Sequence, residues 1–299
     1  MTSGADPQIS VIVPTYKDWP DLAVCLEHLG RQTLPASAFE IIVANNNPEA
    51  EIPPFVRPPA NARTVHVLEP GSYAARNAAM AVARGSIFAF TDSDCRPSPD
   101  WLSAGLAAFD GLADVDRVAG AIDVFPAGEE WTISELYDRL FHLRQKRFVE
   151  RDGFGATANL FVPRKAFELV GGFRGDVFSG DDRGWNLRAQ AKGSRIVYCA
   201  EAEVRHAARG TFDALAKKRR RLTGSTYQRQ SERLRRRKLI RLPVHFLLPP
   251  SKRRIRPILD APGLTARQRR SLKWLHYRLG LVTFMEVFRL HYLNRVPLR

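Results

Sequence analysis

The sequence predicts an α/β fold: a doubly wound, mostly parallel sheet followed by a basic C-terminal helical extension. Two observations carry the sheet. Short β-branched runs alternate with stretches of helical period, and each run ends in a polar or proline-containing cluster. A third carries the extension. Residues 1–204 hold 27 acidic and 20 basic residues, net −7, whereas residues 205–299 hold 4 and 26, net +22.

Residues 9–13 are a β-branched run stopped by Pro14, as a buried strand would be. Residues 18–29 follow with Leu22, Cys25, Leu26 and Leu29 on one helical face. Residues 40–44 form a second run, ended by Asn45, Asn46 and Asn47, and residues 64–68 a third. The Ala-rich stretch 71–84 reads as a helix, and 86–91 as a strand stopped by Asp92. Strands alternating with helices imply parallel crossovers, and such sheets bind ligands at the carboxyl ends of their strands. The clusters after Val13, Ala44 and Thr91 fall at those ends. Further on, the pattern gives a strand at 117–124, a charged helix at 130–150, helices at 164–170 and 181–192, and a strand at 195–199. The domain organisation expected is a catalytic part, residues 1–208, and a basic amphipathic helical part, residues 209–299.

The composition, 44% hydrophobic and 26% charged, is that of a globular protein. Cys25, Cys95 and Cys199 are odd in number, far apart and without metal-ligand spacing, which suits reduced thiols in the cytosol. The first eight residues lack the apolar stretch of a signal peptide, and no run of about 18 apolar residues suits a membrane-spanning helix.

Three features carry chemistry. Asp92-Ser93-Asp94 directly follows a strand. Two carboxylates one residue apart can hold Mg²⁺ or Mn²⁺ against diphosphate oxygens; alone, the pattern is more often a solvated turn. Gly180-Asp181-Asp182 opens a helix, where an aspartate serves either as general base or as helix cap. His206 lies just past a strand, and neutral imidazole is a common metal ligand, although a lone histidine is usually structural. Arg76 and Asn77 follow a Gly-Ser-Tyr turn, placed either to contact a phosphate or sugar or to lie on the surface.

The order is more specific than its parts. Pro14-Thr15-Tyr16, Ala75-Arg76-Asn77, Asp92-Ser93-Asp94 with Pro97, Asp100 and Trp101, Gly171-Gly172-Phe173, Gly180 to Asp182, and His206 follow one another as in the family 2 glycosyltransferases. The resemblance covers about two-thirds of the chain, from Ile9 to about Arg209, and implies the GT-A fold. It implies that Pro14, Thr15 and Tyr16 line the base and ribose. Arg76 and Asn77 would border the nucleotide, and Asp92 would touch the ribose or the ion. Asp94 would ligate the metal, with His206 as a further contact. Asp182 would be the base of an inverting displacement, with Asp181 and Trp185 on the acceptor side. Asn45 stands where the family commonly has a uracil-contacting aspartate, which weakens the case for UDP and keeps GDP and dTDP sugars open. The Gln-x-x-Arg-Trp signature of processive synthases is absent, which favours single transfers.

The expected partners are a nucleoside-diphosphate sugar, a lipid-linked or cell-envelope glycan acceptor, and an anionic membrane surface. Residues 272–293 read as an amphipathic helix with Trp274, Tyr277, Phe284, Phe288 and Tyr292 among basic residues, suited to the inner face of the plasma membrane. Residues 242–248 are a second apolar segment between basic clusters. A sugar-phosphate nucleotidyltransferase would more typically carry a Gly-rich phosphate loop where Pro14-Thr15-Tyr16 stands. A non-enzymatic nucleic-acid binder, suggested by the clusters at 217–221 and 235–238, is disfavoured by the acidic first part.

Overall fold

A computed structural model describes residues 6–47, 49–231 and 251–293. The apolar segment 242–248 and the basic cluster 235–238 lie outside the described residues. The chain forms two compact units. The first comprises residues 1–123, 144–177 and 181–206, and the second residues 124–143, 178–180 and 207–299.

The sheet begins with β1 (Ile9–Thr15), β2 (Phe39–Asn45), β3 (Ala62–His66) and β4 (Ile87–Thr91). It continues with β5 (Cys95–Pro97), β6 (Arg117–Phe125), β7 (Asn159–Pro163) and β8 (Ile196–Ala207). Their order is β3-β2-β1-β4-β7-β6-β8-β5. β1 pairs in parallel with both β2 and β4, and β2 with β3. All seven residues of β1 and of β2 are buried. That explains their unbroken apolar runs, since a parallel strand covered on both faces has no solvent side. β7 is antiparallel to β4 and β6, and β5 to β8.

Helices α1 (Trp19–Leu29) and α2 (Ser72–Val82) follow β1 and β3, and α3 (Trp101–Ala107) follows β5. α1 buries Leu22, Cys25, Leu26 and Leu29, the face its spacing predicts. α5 (Gln145–Asp152), α6 (Arg164–Val170) and α7 (Asp181–Ala191) complete the first unit, and α4 (Ile133–Phe141) belongs to the second. The single helix expected at 130–150 is thus two, broken at Leu143, whose φ of 49° is left-handed. Asn159 locks the antiparallel half. Its Nδ2 donates to the carbonyls of Ala121 (2.7 Å) and Ala202 (2.8 Å), and its Oδ1 accepts from Trp101 Nε1 at 2.8 Å.

The second unit also holds α8 (Phe212–Gln228), α9 (Lys252–Asp260) and α10 (Ala266–Tyr292). Its core gathers Leu136, Tyr137, Leu215, Ile258, Leu272, Leu275 and Leu279. α10 starts earlier than its apolar pattern because Thr265 and Gln268 form a capping box. No helix of the described residues is long and apolar enough to cross a membrane.

Candidate active site

The end of β1 is tied to the end of β4 through Asp18. One oxygen of Asp18 accepts from Thr15 Oγ1 (2.8 Å) and Tyr16 N (2.7 Å), and the other from the Ser93 hydroxyl. Pro14 and Thr15 are buried, while the Tyr16 ring is 46% exposed at the mouth of this turn. Next to it, Asn46 bridges β2 to the entry of α2. Its amide nitrogen donates to the carbonyls of Val67 (3.0 Å) and Glu69 (2.7 Å), and its oxygen accepts from Gly71 N (2.8 Å). Gly71 has φ of 125°, a conformation strained for any side chain.

α2 delivers Tyr73 and Arg76 to the same place. Arg76 is buried, and its Nη2 donates to Asp92 Oδ1. The Tyr73 hydroxyl accepts from the backbone N–H of Asp182 (3.1 Å) and donates to Asp182 Oδ1 (3.3 Å). Asp182 Oδ1 also accepts from Arg183 N at 2.9 Å. Burial pushes the Asp182 carboxyl above its ordinary range. The Arg183 N–H, the Arg76 charge and the Tyr73 hydroxyl oppose this, and the Asp92 charge adds to it. Asp92 and Asp182, far apart in sequence, are thus electrostatic neighbours.

The antiparallel pairing of β5 with β8 sets Cys95 opposite His206. This brings His206 Nε2 to 3.3 Å from Asp94 Oδ1. Ligand atoms of Asp94, Cys95 and His206 lie within 4.8 Å of one another. The donor set fits a hard divalent ion through Asp94 and His206, since the half-exposed Asp94 leaves room for oxygen ligands from outside. Cys95 fits less well. Hard ions such as Mg²⁺ and Mn²⁺ prefer oxygen and imidazole to soft sulfur, and the thiol donates to the carbonyl of Ala158 at 3.7 Å.

Residues 10–171 match the sequence profile of Glycosyl transferase family 2. The chain belongs to that family. Glycosyltransferase AglE of Haloferax volcanii is 33% identical over 218 residues, 71% of this chain and 70% of AglE. The uncharacterized glycosyltransferase EpsJ of Bacillus subtilis is 36% identical over 211 residues, 64% of this chain and 58% of EpsJ. The fold is that of solved glycosyltransferases. The mannosyltransferase PcManGT of Pyrobaculum calidifontis, in complex with GDP-Man and Mn²⁺, superposes with a TM-score of 0.55 at 19% identity over 95% of this chain and 74% of that one. S. aureus TarS 1–349 gives 0.52 at 16% identity, over 96% and 92%.

Several residues that the family 2 resemblance assigned to ligands have other partners. Asn77 clasps Phe173, its Nδ2 donating to the carbonyl (2.8 Å) and its Oδ1 accepting from the N–H (3.0 Å), so it braces the Gly171-Gly172-Phe173 turn. A Cβ at Gly172 would stand 2.9 Å from Asn77 Oδ1, so a side chain there would push the Asn77 amide out of this clasp. Trp185 is 0% exposed, stacks on Phe167 at 4.3 Å and donates to the Gly171 carbonyl at 2.6 Å. With no open surface it is a core residue rather than an acceptor contact. Asp181 is also buried and accepts from Arg174 N at 2.7 Å and from Arg188. It holds the loop before α7 rather than an acceptor. Asn45 is fully buried, its amide spanning Ala50 O (2.8 Å) and Asn47 N (2.9 Å). Tyr73, Asp18 and Asn46 join the site without a motif of their own, and the Gly-Ser-Tyr turn before Arg76 is the sequence signal for Tyr73.

Proposed function

We propose that this family 2 glycosyltransferase is a metal-dependent, inverting enzyme that moves one sugar from a nucleoside-diphosphate donor to a hydroxyl acceptor. The observation that carries this reading is the convergence of Asp182, Tyr73, Arg76 and Asp92 at the strand ends that also present Asp94 and His206. Asp182 takes the proton of the acceptor hydroxyl as that oxygen attacks the anomeric carbon, and the bond to the diphosphate breaks. One displacement inverts the centre. A raised carboxyl value suits this work, because a stronger base removes the proton more readily. Pro14, Thr15 and Tyr16 border the nucleotide. Asp92, whose Oδ1 is engaged by Arg76, offers its other oxygen to the ribose or the ion. Asp94 and His206 would hold Mg²⁺ or Mn²⁺, which when bound screens the charge of the diphosphate.

The acceptor in this reading is lipid-linked or part of a cell-envelope glycan, met at the cytoplasmic face of the plasma membrane. Support comes from the outer face of α10, where Trp274, Leu281, Met285, Phe288 and Tyr292 recur at helical spacing. Trp274 is 61%, Met285 65% and Tyr292 59% exposed. Exposed aromatics beside basic side chains are the signature of an interfacial helix. The three buried, unpaired cysteines accord with a reducing compartment.

The test is release of nucleoside diphosphate from UDP-, GDP- and dTDP-linked glucose and mannose, with and without Mn²⁺, for the wild type and Asp182→Asn. Metal-dependent turnover that the variant loses supports the reading. No turnover with any donor, or unimpaired turnover of the variant, rejects it.

A further inference from the structure

We infer that Tyr73 is a positioning residue for the transfer: its hydroxyl pins Oδ1 of Asp182 so that Oδ2 alone faces the incoming hydroxyl. The inference rests on Asp182 being the base. The geometry is specific. A phenol has one proton to give and two lone pairs to share. Here the proton goes to Asp182 Oδ1 and a lone pair receives the Asp182 N–H. With Arg183 N also bonded to Oδ1, that oxygen carries two donors, and Oδ2 has no hydrogen-bond partner among the described residues. The carboxylate is therefore held against rotation about its Cβ–Cγ bond.

The phenol itself is held. Its ring is buried, 5.5 Å from the Phe173 ring and with the Arg76 guanidinium 5.7 Å from its centroid. Burial, then the Asp182 charge, keeps the hydroxyl protonated, so it remains a donor at neutral pH. The groups facing the carboxylate are Tyr73 and Arg76 on α2, Asp92 at the end of β4, and Arg183 on α7. Arg76 is already paired with Asp92, so Tyr73 is the side-chain donor that fixes which oxygen of Asp182 is presented.

The test compares full-length wild type, Tyr73→Phe and Asp182→Asn. Phenylalanine keeps the ring packing and removes only the hydroxyl. We expect kcat for diphosphate release to fall about ten-fold, the scale of one hydrogen bond to a charged group. KM for the nucleotide sugar and binding of UDP or GDP with Mn²⁺ should stay within about two-fold. A second readout needs no turnover: ¹³C NMR titration of the side-chain carboxyls, with the Asp182 signal assigned by its loss in Asp182→Asn. Removing a donor from Oδ1 should move the Asp182 midpoint upward, and the acidic limb of kcat/KM with it. An unmoved Asp182 midpoint in a folded Tyr73→Phe protein overturns the inference. Full activity of Asp182→Asn overturns the base assignment instead, so the two failures are distinct.

Discussion

Asp94 Oδ1 and His206 Nε2 stand 3.3 Å apart because a three-residue strand, β5, pairs with β8 and sets Cys95 opposite His206. A carboxylate and an imidazole 112 positions apart in the sequence are thereby placed to share one ion. Either Asp94→Asn or His206→Ala should weaken Mn²⁺ binding at least about ten-fold in calorimetric titration, the scale seen when a metal site loses a supporting group. Cys95→Ser should leave Mn²⁺ affinity within about two-fold, since a hard ion prefers oxygen ligands and the thiol is bonded to the Ala158 carbonyl. A Cys95→Ser protein that no longer binds Mn²⁺ would show the thiol to be a ligand after all.

Asn77 is a brace, and its removal should cost stability. Asn77→Ala strips both hydrogen bonds from the backbone of Phe173. Leaving those groups unpaired costs about 1–3 kcal/mol. The denaturation midpoint should fall with an unchanged denaturant slope, and nucleotide affinity should hold. Lost nucleotide affinity with an unaltered midpoint would return Asn77 to the donor pocket.

The sheet and the positions of the carboxylates, though not their roles, are legible in the sequence because each depends on local pattern. The parallel half announced itself through unbroken apolar runs at Ile9–Thr15 and Phe39–Asn45, and Asp92, Asp94 and Asp182 through their places after a strand or at a helix start. The antiparallel half was harder to see. β7, five buried residues, sits between a Gly-rich segment and a helix, and β5 is only three residues long. Side-chain role was least legible. Trp185 and Asp181 occupy motif positions, yet whether such a residue meets substrate or core depends on contacts with Phe167, Gly171 and Arg174 that no local spacing encodes.

The burial of Trp185 can be checked directly. Trp185→Ala should destabilise the protein by about 3–5 kcal/mol, the range for deleting a large buried aromatic. Trp185→Phe should recover part of this while leaving KM for an acceptor unchanged. A Trp185→Phe enzyme of normal thermal stability and raised acceptor KM would place the indole at the acceptor.

The exposed stripe on α10 makes the proposed membrane binding separable from folding. Trp274, Met285 and Tyr292 face solvent, while Leu272, Leu275 and Leu279 hold the helix in its core. Replacing Trp274 and Phe288 by Ser should lower co-flotation with phosphatidylserine-containing vesicles several-fold at low salt, with melting temperature unchanged. Binding should also weaken as salt is raised, because the basic side chains act through screened charge. Equal flotation of variant and wild type would remove the stripe from the interface.

The second unit should lose stability on mild acidification. Burial, then the nearby Lys218, lowers His142 to about 4, against the pull of Asp138; burial, then Arg219 and Arg254, lowers His276 to about 4. In the unfolded chain both return to about 6.5. Between these values the unfolded state binds more protons, so stability is full above about pH 6.5 and falls as pH drops toward 4. Asp138 acts lower. Burial would raise it, but the hydrogen bond from His142 and the charges of Lys218 and Arg209 hold it well below the ordinary carboxylate range. Its contribution is present above about pH 4 and is lost only on further acidification. Thermal melts at steps from pH 7.5 to 4 should show the decline begin near 6.5. His276→Gln, which keeps a hydrogen-bonding partner near the Tyr137 hydroxyl, should make the slope shallower. A melting temperature that stays level down to pH 4.5 would mean that these imidazoles accept protons in the fold as readily as outside it.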